Sequence, residues 1–145
     1  MPTTITTDEY RALAELRHRI RLFVREGDAK AHAAGLEPQQ YLILLAIRGL
    51  PESAEATIRM LAERLALKHH SVVELVDRLE ERGLVKRARS REDRRRVLVS
   101  LLPRGEKLLE EVARHRISEL RSSGAAFVKA IEALLEKDGR KRSKR

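Results

Sequence analysis

Residues 83–101, GLVKRARSREDRRRVLVSL, constrain the fold more than any other stretch of this chain. They read as two short strands around a loop dense in arginine. Leu84 and Val85 open the first strand; Val97, Leu98, Val99 and Leu101 make the second. Elsewhere the apolar residues recur at helical spacing, so a single hairpin has to be fitted among helices. Between Lys86 and Arg96 stand seven basic and two acidic residues, a net of +5. Such a tip gains nothing from a protein core and a great deal against a polyphosphate.

The remaining charge sharpens this. The whole chain carries +9, and its last segment, Lys137–Arg145, supplies another +5, which leaves about −1 for everything else. Basicity gathered in two places is the footprint expected of a nucleic-acid binder. Aromatics are only 3% of the chain, which argues against the stacking platforms that single strands and RNA need. The absence of cysteine excludes disulfides, thiolate metal sites and thiol redox sensing. No apolar run has the length of a membrane span, and the first residues lack a signal-peptide core, so the expectation is a cytoplasmic protein without membrane contact. A length of 145 residues suits one domain, or one domain with a dimerising extension.

Along the chain, residues 1–7 read as disordered, with Thr7 or Asp8 capping a first helix that runs to about Ala34 and stops at Gly35. Leu13, Leu16, Ile20 and Phe23 form a seam of coiled-coil type along it, and Gly27 is out of place in a straight helix. Pro38 opens a second helix whose residues 39–47 are apolar almost all round, which predicts burial on most sides. Thr57 caps a short helix with Ile58, Leu61, Ala62 and Leu65 on its inner face. After a turn at Ala66–Lys68, a helix from His69 to about Arg82 buries Val72, Leu75, Val76 and Leu79. Its opposite face shows His69, His70, Glu74, Asp77, Arg78 and Glu81. Gly83 supplies a left-handed C-terminal cap before the hairpin. Pro103 opens the last helical region, with a kink or break expected at Ser122–Ser123–Gly124 and an apolar stripe resuming at Phe127, Ile131, Leu134 and Leu135. Residues 137–145 read as a disordered basic tail.

The fold class that follows is mainly α with a small β-wing: a winged helix-turn-helix lobe at about 36–102, flanked by helices at about 8–34 and 104–136. Those flanking helices carry more apolar stripe than so small a core can use, and the economical partner is a second copy of the chain. The order of elements, with LAERL from Leu61, LVDRLEERGLV from Leu75, SREDRRRVLVSL from Ser90 and then Gly105, resembles the MarR (multiple antibiotic resistance regulator) family over about Tyr10–Leu135. The resemblance implies a homodimer whose terminal helices interlock, two winged lobes on double-stranded DNA, repression at a pseudo-palindromic site, and release by a small, often aromatic, effector.

It also implies that His69, His70, Ser71, Val73 and Glu74, at the start of a recognition helix, face the bases. Val73 can pack on a thymine methyl. Glu74 can accept from cytosine N4, or can stand as a solvated acid that repels phosphate. Lys68, Arg78 and, on the short helix before the turn, Arg59 are phosphate candidates. In the wing, Asp93 and Arg95 match the family's Asp-x-Arg motif. Asp93 would hold the loop, Arg94 or Arg95 would enter the minor groove, and Arg89, Arg91 and Arg96 would add phosphate contacts or structural pairs. The topology suggests an effector pocket with His18, Arg21 and Tyr41 as polar handles.

No catalytic constellation can be argued. The neighbouring acids Glu80–Glu81 and Glu110–Glu111 point about 100° apart on a helix and read as ordinary exposed charges. No cofactor motif and no metal-ligand spacing is present: His69 and His70 are adjacent on one helix, and His18 and His32 lie about 21 Å apart along another. The alternative to a DNA-binding regulator is a winged-helix module for protein–protein contact, which requires an apolar patch on the outer face of residues 69–78.

Overall fold

The computed structural model describes residues 4–135, so the basic segment Lys137–Arg145 lies outside the described residues. The order is α1 (Thr7–Ala33), α2 (Pro38–Arg48), α3 (Ile58–Leu65), α4 (His69–Glu81), β1 (Val85–Arg89), β2 (Val97–Leu101) and α5 (Pro103–Leu135). The chain divides into two compact units. One takes the residues up to Gly27 with those from Arg116 onward, and the other takes Asp28–His115.

In the unit of Asp28–His115, α2, α3 and α4 surround a core of Leu36, Ile43, Leu44, Leu61, Val72, Val76 and Leu79, closed by Leu84, Val85 and Val99 of the hairpin and by Leu109 and Val112 of α5. Local chemistry sets the breaks. Gly35 ends α1 at φ +85° and Gly83 ends α4 at φ +74°, both in the left-handed region that glycine enters without a Cβ clash. Pro38 takes the first turn of α2, where its missing N–H costs nothing, and the Gln40 side-chain Oε1 accepts from the Glu37 backbone amide at 3.1 Å. Thr57 caps α3 by accepting from the Met60 amide at 3.0 Å. Between α3 and α4, Ala66 turns the chain at φ +53°, and the Leu67 amide returns to the Ala62 carbonyl at 3.0 Å.

The hairpin is antiparallel, with Val85 opposite Leu101 and Arg89 opposite Val97. Its second strand is tied further: the Val99 amide donates to the Ala56 carbonyl at 2.8 Å, and Thr57 bridges Leu98. Pro103 then starts α5 immediately, and Gly105 passes so close to Leu84 that a Cβ there would lie 2.1 Å from the Leu84 carbonyl oxygen. The expectation that α2 is buried on most sides needs correction. Gln40 is buried, whereas Leu42 and Leu45 are 42% and 40% exposed, because only the Tyr41–Leu44 side faces this core.

In the other unit, Phe23 meets Phe127 edge to face with ring centroids 5.9 Å apart. Arg116 is buried, its guanidinium 3.8 Å above the Phe23 ring, bonded to the Phe23 carbonyl and to Glu119 at 3.0 Å. That guanidinium accounts for Gly27: a Cβ there would sit 3.0 Å from it. The helix runs through Gly27 unbroken. Two sequence expectations fail here. The α1 cap is Thr6, not Thr7 or Asp8: its hydroxyl accepts from the Glu9 amide at 3.1 Å while the Glu9 carboxylate accepts from the Thr6 amide at 2.9 Å. Residues 4–7 are therefore described structure, with Thr7 already helical. Nor does α5 break at Ser122–Gly124. Both serine hydroxyls donate to the Glu119 carbonyl, at 3.0 and 2.8 Å, which absorbs them into the helix.

Candidate nucleic-acid interface

The helix that would read bases, α4, is positioned by its buried stripe of Val72, Val76 and Leu79. Lys68 is its N-cap, with extended backbone and a carbonyl that accepts from the Ser71 and Val72 amides at 3.0 and 3.2 Å. His69 and His70 are exposed in the first turn, Ser71 is half-buried, and Glu74 and Arg78 are exposed. Val73 is half-buried against the core, so only part of its side chain remains for any outside contact. Arg59 is exposed on α3, 3.4 Å from Glu63 one turn on.

The wing arginines fall into two groups. Arg95 is bound by Asp93 through its Nε at 3.2 Å, its Nη2 at 3.4 Å and its backbone amide at 3.0 Å. Those bonds, and the nearby Arg96 charge, hold the Asp93 carboxyl below its ordinary pKa of 3.8. Arg96 is paired with Glu55 of the loop before α3. Arg89 donates to the Arg94 carbonyl at 2.7 Å. Among the described residues, the side chains of Lys86, Arg91 and Arg94 have no such partner and stand exposed. The loop has its own anchor in Ser90, buried, whose hydroxyl accepts from the Glu92 and Asp93 amides at 3.3 and 3.4 Å.

One network was not legible from spacing. Arg87 of β1 donates to Asp77 at 2.6 Å and to Glu80 at 3.0 Å, both on α4, and its backbone amide reaches Glu80 at 3.1 Å. The hydrogen bond donated by the Arg87 backbone N–H, then those of its guanidinium, depress the Glu80 pKa below its ordinary 4.5. Glu80 is thus not an ordinary exposed charge, and Asp77 is not a free member of the outer face. Together they bolt the wing to the helix. The turn at Gly83 hid this pairing, because it folds residues seven apart onto one another outside any helical or strand period. Arg82 makes a second tie, donating to the Gln40 side chain at 3.1 Å.

Of the residues suggested for an effector pocket, Tyr41 is buried in the core of its unit, and His18 and Arg21 are exposed on α1 in the other unit. A pocket of about 340 Å³ in the unit of Asp28–His115 is lined by Lys30, Ala33, Ala34, Glu111, Val112, Arg114 and His115. Among the described residues no helix is long and apolar enough to cross a membrane.

Residues 34–96, the segment that contains α2, α3, α4 and most of the wing, match the model of the MarR family. The chain is also 30% identical over 122 residues to YsmB, an uncharacterized HTH-type transcriptional regulator of Bacillus subtilis (strain 168), spanning 84% of this chain and 82% of that protein. The chain belongs to the MarR family. MarR proteins are DNA-binding transcription regulators, not enzymes. Solved structures share the fold, three of them as follows. AbsC, a MarR family transcriptional regulator from Streptomyces coelicolor, superposes with a TM-score of 0.69 at 22% identity, over 88% of this chain and 84% of that one. CouR from Rhodococcus jostii RHA1, bound to p-coumaroyl-CoA, gives 0.64 at 24% identity over 74% of each chain. A single-residue mutant of MepR from S. aureus, bound to an oligodeoxyribonucleotide, gives 0.63 at 20% identity over 97% and 92%. At these identities the likenesses establish the winged-helix fold.

Proposed function

We propose that this MarR protein is a homodimeric repressor that places α4 in the major groove and the wing loop in the flanking minor groove of a pseudo-palindromic operator. The observation that carries the reading is the contrast within the cationic surface. Arg87, Arg89, Arg95 and Arg96 are bonded and fix the wing, whereas Lys68, Arg78, Arg91 and Arg94 are exposed without a partner among the described residues. Exposed cations without a carboxylate partner are stabilised by a polyanion. MepR was solved on an oligodeoxyribonucleotide, which supports the same use of the shared fold.

A second copy is supported by apolar surface that one chain leaves open. On α1, Tyr10, Leu13 and Val24 are 59%, 50% and 53% exposed, and on α5, Val128 and Leu135 are 56% and 73% exposed. Release by a small molecule is supported by the pocket lined by Lys30, Val112 and His115, and by CouR, which was solved with p-coumaroyl-CoA. The protein–protein module has less support, because the outer face of α4 offers His69, His70, Glu74 and Arg78 rather than an apolar patch.

Anisotropy titration with duplex DNA at several salt concentrations tests the proposal. Affinity should fall steeply with salt. Changing Arg94 and Arg95 to Ala should weaken binding and flatten the slope by roughly 0.9 for each phosphate that is no longer neutralised. Binding indifferent to ionic strength would refute it. Sedimentation equilibrium of the full chain tests the dimer.

A further inference from the structure

We propose that Glu74 makes this protein select a cytosine at one position of each half-site, by accepting a hydrogen bond from the cytosine N4 amino group. The inference rests on the DNA-binding reading above and adds the base.

Between Glu55 and Arg96 most acids are occupied. Glu55 pairs with Arg96, Glu63 with Arg59, Asp77 and Glu80 with Arg87, and Asp93 with Arg95. Glu74, Glu81 and Glu92 have no side-chain partner among the described residues, and of these only Glu74 lies in the first half of α4. At 3.6 residues per turn Glu74 sits roughly 160° around the helix from Val72, at the centre of the face opposite the buried stripe. It is exposed there, one turn after His70 and between the cations Lys68 and Arg78.

Ordinary explanations for an acid at this place fail one by one. The helix dipole favours negative charge in the first turn, and Glu74 lies beyond it. Arg78 stands at the i+4 position, yet no ion pair closes between them, and an exposed pair of that kind contributes little. On a surface built for phosphate, an unpaired carboxylate lowers affinity for duplexes in general. It is useful only where it meets a donor.

A carboxylate can only accept. Guanine presents two acceptors in the major groove, thymine an acceptor and a methyl group, and adenine a donor beside its N7 acceptor. Cytosine alone presents a donor with no acceptor on the same base edge. Glu74 therefore gains a charge-assisted bond at cytosine and is left desolvated or repelled at the other three, so that it selects partly by rejection.

The test uses the full chain and its Glu74→Gln and Glu74→Ala variants, each enriched against a random duplex library and then titrated with the selected duplex and its single-base changes. Glu74 bonds to no other side chain among the described residues, so both variants should fold, which circular dichroism checks. Glu74→Gln should move the preference at one position of each half-site from cytosine to adenine, whose N6 and N7 suit an amide, with the other positions kept. Glu74→Ala should lose roughly ten-fold or more of the discrimination at that position while binding unrelated duplexes more tightly. Unchanged preferences in both variants would overturn the assignment and leave the DNA-binding reading intact. A wild-type chain that enriches no duplex would overturn that reading and this one with it.

Discussion

Two glycines of α5 should respond to the same substitution with opposite sign. Gly105→Ala puts a methyl carbon 2.1 Å from the Leu84 carbonyl oxygen, where carbon and oxygen settle at about 3.3–3.6 Å, so something must move by more than about 1 Å. The carbonyl has little freedom to retreat. Leu84 is fully buried, its amide donates to the Leu79 carbonyl at 3.0 Å, and its own carbonyl accepts from the Leu102 amide at 2.9 Å. Losing the Leu102 bond in a buried place costs about 1–3 kcal/mol, and forced overpacking costs about as much again. The better helix propensity of alanine returns at most ~1 kcal/mol. A net loss of about 2–4 kcal/mol should lower Tm by roughly 5–15 °C in a chain of this size. At Gly124 the nearest neighbour of an added Cβ is the Leu120 Cβ at 4.0 Å, so Gly124→Ala should raise stability by about 0.5–1 kcal/mol. Thermal unfolding followed by circular dichroism compares the two. An unchanged Tm for Gly105→Ala would show that the start of α5 can shift off the turn before the wing, and would refute the close approach as a requirement of the fold.

Other outcomes follow from the networks around α4 and in the α1–α5 unit. Arg87→Met frees Asp77 and Glu80 and should cost about 1 kcal/mol, with faster amide hydrogen exchange in residues 85–89 and weaker duplex binding although Arg87 itself is already paired. Glu80 and Asp93 have pKa values depressed in the folded chain, so their stabilisation is complete above the ordinary values of 4.5 and 3.8 and disappears as pH falls through the lower folded values. Urea midpoints should therefore drop on acidification below about pH 4.5, and less so in Glu80→Gln. Arg116→Ala removes the cation over Phe23 and leaves the partly buried Glu119 without its partner, at a cost of about 3 kcal/mol in urea unfolding. Arg116→Met combined with Glu119→Gln should recover most of that.

The elements were legible wherever a local rule decides them. Gly35, Gly83, Pro38 and Thr57 stop or start helices through their own backbone or hydroxyl, and the stripe at Val72, Val76 and Leu79 fixes which side of α4 is inside. Long-range causes were not legible. Gly27 looks like a flaw in a helix until Arg116, eighty-nine positions on, is seen lying against it. The Ser122–Gly124 break was expected from residue types that also suit a loop, and the Glu119 carbonyl decided otherwise. For the candidate interface, the sequence located the arginines but could not sort Arg87 and Arg96, because their partners are acids supplied by α4 and by the loop before α3.

That sorting changes what the wing's charge means. Seven basic residues from Lys86 to Arg96 suggest seven phosphate contacts, yet four of them already serve as donors inside the protein. Holding Arg95 on Asp93 and Arg96 on Glu55 removes rotamer freedom before any duplex arrives, which lowers the entropy lost on binding. The same bonds cost affinity if they must break first. Arg96 is only 39% exposed and braced against a neighbouring loop, so it stays where it is, whereas Arg95 is 91% exposed on a short tether and can exchange a carboxylate for a phosphate with its position almost unchanged. The wing is thus a scaffold of bonded arginines that positions the unpaired Arg91 and Arg94. On the proposed operator reading, its contribution to recognition comes from where Arg91, Arg94 and an exchangeable Arg95 are placed more than from how many positive charges the loop contains.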